Sequence, residues 1–204
     1  MTFKTEQENF WSGAFGNEYI DRNQGEQIIN SKVALFKRIF KSASEVKSII
    51  ELGCNIGLNL QALNRIDKNF ELSGYEINKT AGQKARDLNI ASIIDGTILD
   101  SLPKDIQYDI SFTKGVLIHI NPENLHKVYE NLYNLSKKYI VVCEYYNPSP
   151  VTIKYRGHEN KLFKRDFAGE LIDKFNLKLI DYGFVYSRDK NFPQDDVTWF
   201  LLKK

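Results

Sequence analysis

Glu51-Leu52-Gly53-Cys54-Asn55-Ile56-Gly57-Leu58-Asn59 decides how this chain is read. Ahead of it, Val46-Lys47-Ser48-Ile49-Ile50 is short, partly β-branched and ends apolar, the pattern of a buried parallel strand. Behind it, Leu58-Asn59-Leu60-Gln61-Ala62-Leu63 carries apolar residues at helical spacing. A strand that breaks at Gly53 and restarts as a helix after Gly57 is the first βα turn of a nucleotide-binding α/β unit. Glycines there reach positive φ and let a ligand approach the backbone.

Two details separate this turn from a dinucleotide site. The glycines are spaced G-x-x-x-G rather than G-x-G-x-x-G, and Glu51 stands immediately before them. A carboxylate at that place repels a pyrophosphate and attracts a sulfonium and an amino group. A second carboxylate, Glu76 in Tyr75-Glu76-Ile77-Asn78, follows 25 residues later, after the strand-like Phe70-Glu71-Leu72-Ser73-Gly74. At the tip of a second strand it accepts both hydrogen bonds of a ribose diol. The pair points to S-adenosylmethionine (SAM), with S-adenosylhomocysteine as product. It resembles motifs I and II of the Rossmann-like class I methyltransferases. That resemblance implies a seven-stranded, mostly parallel α/β sheet with an antiparallel C-terminal strand and helices on both faces.

Composition agrees with an ordinary globular protein. The 204 residues suit one domain spanning 1–204. Lys+Arg 28 against Asp+Glu 26 leaves a net charge of +2, so long-range attraction to nucleic acid is not expected. Cys54 and Cys143 form neither a metal pattern nor a disulfide framework and read as buried thiols of a reducing compartment. No apolar run approaches the ~18 residues of a membrane span, and MTFKTEQENFW has no signal-peptide core. A cytoplasmic protein is the expectation.

The rest of the chain alternates strand and helix. Residues 1–45 precede the sheet: 6–15 is mixed aromatic and polar, 16–23 reads as irregular, and 27–42 as an amphipathic helix. After the first two strands come a helix over 79–88, a strand over 91–97, and Tyr108-Asp109-Ile110-Ser111-Phe112-Thr113-Lys114 as the fourth strand. Asn121-Pro122-Glu123 is a helix start. A helix over 125–135 and a fifth strand over 138–144 follow. Tyr145-Tyr146-Asn147-Pro148-Ser149-Pro150 then leaves the sheet as a proline-stiffened loop, 167–175 reads as a helix, and 177–186 and 197–202 as an antiparallel closing pair.

The methyltransferase resemblance implies roles at the strand tips. Residues 1–45 become a helical cap over the cofactor, with Trp11, Tyr19 and Arg22 at its mouth and Arg22 paired with the methionyl carboxylate. Cys54, Asn55 and Ile77 flank the two carboxylates. Asp95, Gly96 and Thr97 face the adenine, with Asp95 as acceptor for its amine. Lys114 and Gly115 complete the set.

Further stretches carry a finer likeness: Phe10-Trp11-Ser12-Gly13-Ala14-Phe15-Gly16-Asn17-Glu18-Tyr19, Gly115-Val116-Leu117-Ile118-His119-Ile120-Asn121-Pro122, Glu144-Tyr145-Tyr146-Asn147-Pro148, Tyr155-Arg156-Gly157-His158 and Phe192-Pro193-Gln194-Asp195-Asp196-Val197-Thr198-Trp199-Phe200. They resemble the pseudaminic acid biosynthesis-associated methylases of bacteria. The resemblance covers almost the whole chain. It implies methylation of a hydroxyl or amine on a nonulosonic acid or its sugar precursor, for surface glycans or flagellin. Such an acceptor carries a carboxylate, so Arg156 and Arg165, with Lys154 and Lys164, would supply counter-charge. Tyr146, Tyr155 and His158 would pack on its faces.

Transfer from a sulfonium needs alignment above all. A hydroxyl acceptor also benefits from a base. His119 is the first candidate, since an imidazole suits general-base work; Glu144 and Tyr145 follow. No His/Asp/Glu cluster has metal-site spacing, which argues against a magnesium-dependent mechanism. The alternatives are an RNA or protein methyltransferase, another small-molecule acceptor, and a non-catalytic SAM-binding subunit.

Overall fold

The computed structural model describes residues 3–22 and 25–204. Its centre is a seven-stranded sheet in the order β3-β2-β1-β4-β5-β9-β8. The strands are β1 (Ser48–Leu52), β2 (Glu71–Glu76), β3 (Ser92–Asp95), β4 (Tyr108–Lys114), β5 (Ser136–Glu144), β8 (Lys178–Val185) and β9 (Val197–Lys203). The first five are mutually parallel, and β9 runs antiparallel to both β5 and β8. Five parallel strands bring five carboxyl ends, at Leu52, Glu76, Asp95, Lys114 and Glu144, to one edge of the sheet. The strand order reverses between β1 and β4, and the crevice at such a switch point is where open α/β sheets bind ligands.

Both sheet faces are covered. Phe36 and Ile39 of α3 (Glu26–Phe40) and Leu60 and Leu63 of α4 (Leu58–Ile66) bury one face together with Phe112 and Trp199. Val128 and Leu132 of α6 (Leu125–Leu135) and Phe167 and Leu171 of α7 (Phe167–Phe175) bury the other against Ile140 and Val142. Central strands wet by no solvent need apolar side chains on both faces, which is why β1 reads Ser-Ile-Ile-Glu-Leu with all five residues buried. Glu51 is the one charged residue in that run. A further helix, α5 (Lys79–Asp87), starts at an Asn78 whose side chain accepts the Ala81 N–H.

Two segments differ from the sequence expectation. Residues 16–22, within the stretch read as irregular, are helical: α1 (Glu6–Ser12) and α2 (Ala14–Arg22) precede α3. The Thr5 hydroxyl caps α1 by accepting the Glu8 N–H at 3.1 Å. The Asn78 side-chain amide reaches up to Trp11 O at 3.1 Å and Asn17 Oδ1 at 3.0 Å, pinning the helix pair over the strand tips. Asn23, part of the stretch read as irregular, lies outside the described residues.

The second difference is the segment after β5. It is not a loop alone but a hairpin, β6 (Val151–Tyr155) and β7 (His158–Lys164), forming its own two-stranded sheet. Arg156 at φ 49° and Gly157 at φ 89° make the two-residue turn. Two successive positive φ values match the twist of the flanking strands. An arginine is an unusual choice for the first of them, which hides the turn from a reading by residue type.

At the far edge of the main sheet, Ile180, Tyr182, Phe184 and Tyr186 are all exposed. Asp181, between them, accepts the Tyr182 N–H at 2.9 Å and the Ser42 hydroxyl at 2.7 Å, and the β8–β9 register is irregular between Leu179 and Asp181. No helix among the described residues is long and apolar enough to cross a membrane.

Candidate active site

The tips of β1 to β4 and the underside of α1 and α2 enclose one cavity. Its floor is the turn after β1. Gly53 (φ 83°) and Gly57 (φ 77°) hold backbone conformations that side chains with a Cβ resist. The N–H groups of Gly53 and Cys54 both donate to Tyr75 O at 2.9 Å, locking the turn onto β2. Asn55 donates its N–H to Glu76 Oε2 at 2.6 Å, and Asn78 donates to Oε1 at 2.8 Å. The Glu76 carboxylate still has acceptor capacity on the cavity side, which a ribose diol can use. Burial pushes the Glu76 carboxyl upward, and those backbone N–H groups oppose it.

Glu51 is fully buried at the end of β1. Asn59 Nδ2 donates to Oε1, while Oε2 has no hydrogen-bond partner among the described residues. Asn59 Oδ1 in turn accepts from Lys32 Nζ of α3 at 2.7 Å. Burial raises the Glu51 carboxyl and lowers the Lys32 ammonium, since each charge is costly out of water. Lys32 and Lys114 both line the cavity beside this chain of bonds. One end of the cavity therefore offers an orphaned carboxylate oxygen beside two cations, complementary to an amino-acid zwitterion.

Cys54, Ile77, Gly96, Thr97 and Gly115 also line the cavity. Thr97, fully buried, donates its hydroxyl to Glu8 of α1 and accepts the Leu99 N–H at 3.0 Å. Asp95 turns the other way: it pairs with Arg86 at 2.8 Å and is exposed, outside the lining. Trp11 and Tyr19 close the roof, and burial pushes the Tyr19 phenol up to about 12, with Tyr155 adding to it. Arg22 lies outside, 3.8 Å from Glu18 with its guanidinium over the Phe15 ring. The lysines that line the cavity are Lys32 and Lys114.

His119 sits in a 3-10 turn after β4 and faces the same cavity. Its Nδ1 is 2.6 Å from Lys161 O of the hairpin. A carbonyl only accepts, so Nδ1 carries the proton and Nε2 is left as an acceptor. The ring is packed against Trp11 (4.5 Å) and Tyr155 (5.1 Å). Burial lowers its pKa to about 4, partly offset by the Lys161 carbonyl.

Glu144 is buried and braces the same turn: its Oε1 accepts the Val116 and Leu117 N–H groups at 3.0 and 3.1 Å, and burial raises it to about 7. Tyr145, raised above its ordinary value by burial, hydrogen-bonds Asp195 and carries the Lys164 ammonium over its ring at 5.0 Å. Tyr146 is exposed beside Phe200. The hairpin contributes a second aromatic group, with His158 against Phe10 (4.9 Å) and Phe15 (5.6 Å). Arg156 stands exposed at the hairpin tip over the Tyr155 ring, with no carboxylate partner within salt-bridge distance among the described residues. Arg165 is held at the hairpin root by Glu170, and Lys154 pairs with Glu159 at 3.1 Å.

Lys32, Asn59, Gln7 and Glu8 line the cavity without having been singled out in the sequence. A lysine in an amphipathic helix reads as a solvent-facing residue. Glu8 and Gln7 carry no motif at all. Among the described residues no group of three His, Cys, Asp or Glu side chains could hold a metal ion.

Several solved structures share this fold. One is a SAM-dependent methyltransferase of Leishmania major, with TM-score 0.72 and 13% identity over 97% of this chain and 82% of that one. Another is the magnesium protoporphyrin IX methyltransferase of Synechocystis PCC 6803 with bound SAM (0.68, 13%, 100% of both chains). A third is the plantazolicin methyltransferase BpumL in complex with S-adenosylhomocysteine (0.67, 15%, 97% and 93%). At such identities the likeness is one of fold, that of the Rossmann-like class I SAM-dependent methyltransferases. No protein-family model matches the chain, and no curated protein matches its sequence.

Proposed function

We propose that this chain is a SAM-dependent methyltransferase acting on a hydroxyl or amine of a nonulosonic, pseudaminic-type acid or its sugar precursor. The observation that carries the cofactor reading is the buried Glu51 oxygen without a partner, set beside Lys32 and Lys114 and across the turn from Glu76. A free carboxylate oxygen that deep is costly unless a cation reaches it. The methionyl amino group supplies that cation, and the methionyl carboxylate takes the two lysines. Glu76 receives the ribose diol. Fold relatives with bound SAM or S-adenosylhomocysteine support the same reading.

When bound, SAM supplies an electrophilic methyl group on a sulfonium. The chain's own part is to exclude water under Trp11 and Tyr19, to hold the acceptor in line, and to take a proton where the acceptor is a hydroxyl. His119 is placed for that last step, with its proton on Nδ1 and Nε2 open. Its lowered pKa keeps the ring neutral, hence able to accept, at ordinary pH.

The acceptor reading rests on the hairpin. Arg156 provides a cation for an anionic group, and Tyr155, Phe15 and His158 provide aromatic faces for a ring or acyl group. The test is methyl transfer from labelled SAM to pseudaminic acid, its nucleotide-activated form and its amino-sugar precursors, with products read by mass. One added methyl on any of these supports the proposal. SAM binding without transfer to any of them overturns the acceptor, and absence of SAM binding overturns the whole reading.

A further inference from the structure

Asp95, the residue expected to accept the amine of adenine, faces away and is engaged by Arg86. Thr97 and Gly96, its neighbours, do line the cavity, and the group lying against them comes from the lid. Glu8 accepts the Thr97 hydroxyl and the Lys4 N–H, which clamps the first turn of α1 onto the tip of the third strand. Gln7 is the residue before Glu8 in that turn. It is 4% exposed, lines the cavity, and its Oε1 has no hydrogen-bond partner among the described residues. Its Nε2 donates to Asn160 O at 3.0 Å. Since a backbone carbonyl only accepts, that bond fixes the amide: nitrogen toward the hairpin, oxygen left over.

We infer that Gln7 accepts a hydrogen bond from the exocyclic amine of the cofactor's adenine, so that the lid, not the sheet, reads the base. The inference rests on the SAM reading above. A buried acceptor without a donor is destabilised, and an adenine amine repairs it. Hypoxanthine presents a carbonyl at the same position, and two acceptors face to face repel. Sites built to pair with a particular polar group discriminate strongly against an analogue lacking it. Glu8 acts as a positioning residue, holding the turn that carries Gln7.

The experiment is calorimetric titration of the full chain with S-adenosylhomocysteine and with S-inosylhomocysteine. Wild type, Gln7→Met and Asp95→Asn are compared. Wild type is expected to favour the adenine compound by about a hundredfold, a ratio within reach of a site that pairs with a polar group. Gln7→Met should bring the two within about threefold, because neither purine then meets a buried acceptor. Asp95→Asn should keep the wild-type ratio. Gln7→Met also loses the tether to Asn160, so both affinities can fall together; the ratio separates the two effects. A uniform loss with the ratio intact, or a ratio that collapses in Asp95→Asn instead, overturns the inference and leaves the cofactor reading standing. Binding of neither compound by the wild type overturns both.

Discussion

On the floor of the cavity, Glu51, Glu76 and Thr97 come from the ends of neighbouring parallel strands and the turns that follow them. On the roof, the groups come from residues 5–19 and 155–161, joined by Gln7 to the Asn160 carbonyl, Lys161 to Glu6 at 3.0 Å and His158 against Phe10 and Phe15, while His119 reaches the Lys161 carbonyl. The floor is held by sheet ladders and backbone bonds, the roof by side-chain contacts, of which Glu6 is largely exposed. In that pair only Glu6 faces solvent, while Lys161 is buried. The floor is thus part of the sheet, the roof is tied to it through Asn78 and Glu8, and His119 lies at the seam.

The sharpest way to break this division is Glu76→Ala. It removes the acceptor for the diol and orphans the Asn55 and Asn78 N–H groups, so SAM affinity should fall by about 100- to 1,000-fold, the equivalent of two hydrogen bonds to a charged group. Calorimetry measures it, with circular dichroism to confirm that the variant folds. Retention of near-wild-type affinity would remove the floor as the cofactor site.

His119→Gln tests the seam. With a hydroxyl acceptor, kcat should fall about 100-fold, within the usual range for a general base, while SAM affinity stays within about threefold. The pH profile adds a second reading. Because burial lowers the imidazole to about 4, the ring stays unprotonated as pH falls through the range where a free histidine titrates. Wild-type kcat should therefore show no break near pH ~6.5 and decline only toward pH 4. A break in wild type that persists unchanged in His119→Gln would mean that His119 is not the base.

Lys32→Met, on the floor, should weaken SAM by about tenfold at neutral pH, the cost of one charge-assisted contact. Burial lowers the Lys32 ammonium, so its charge disappears on raising pH sooner than that of a surface lysine. Wild-type affinity should fall more steeply with rising pH than that of the variant; parallel profiles would remove Lys32 from the methionyl site. Arg156→Ala, on the roof, should have the smallest of these effects. The acceptor KM rises about three- to tenfold, with kcat and SAM affinity unchanged, as for a partly solvated contact to an anion. A change in SAM affinity there would contradict the separation of floor and roof.

The floor was legible in the sequence because its signals are local. A glycine turn, the carboxylate before it and the carboxylate at the next strand tip each follow from backbone chemistry within a few residues. Asp95 shows the limit: a short strand does not say which way its last side chain turns, and here Arg86 from the preceding helix drew it outward. The roof was legible only as a cap. Its helices depend on Thr5 and on an asparagine some 60 residues away, and its hairpin on an arginine in a left-handed conformation. Lys32 was hidden for another reason. Its helix looks amphipathic, and the packing of α3 against α4 brings this polar position to Asn59.

The far edge of the sheet carries its own protection. Ile180, Tyr182, Phe184 and Tyr186 form the sort of exposed apolar strand that templates growth from molecule to molecule. Asp181 folds its carboxylate back onto the Tyr182 N–H and, with the irregular register beside it, blunts that template. Asp181→Val should leave catalysis alone yet make concentrated solutions scatter light on standing, and a solution as clear as wild type would show the guard to be superfluous. One acidic side chain, remote from the cavity, thus bears on how the molecules meet one another rather than on what they bind.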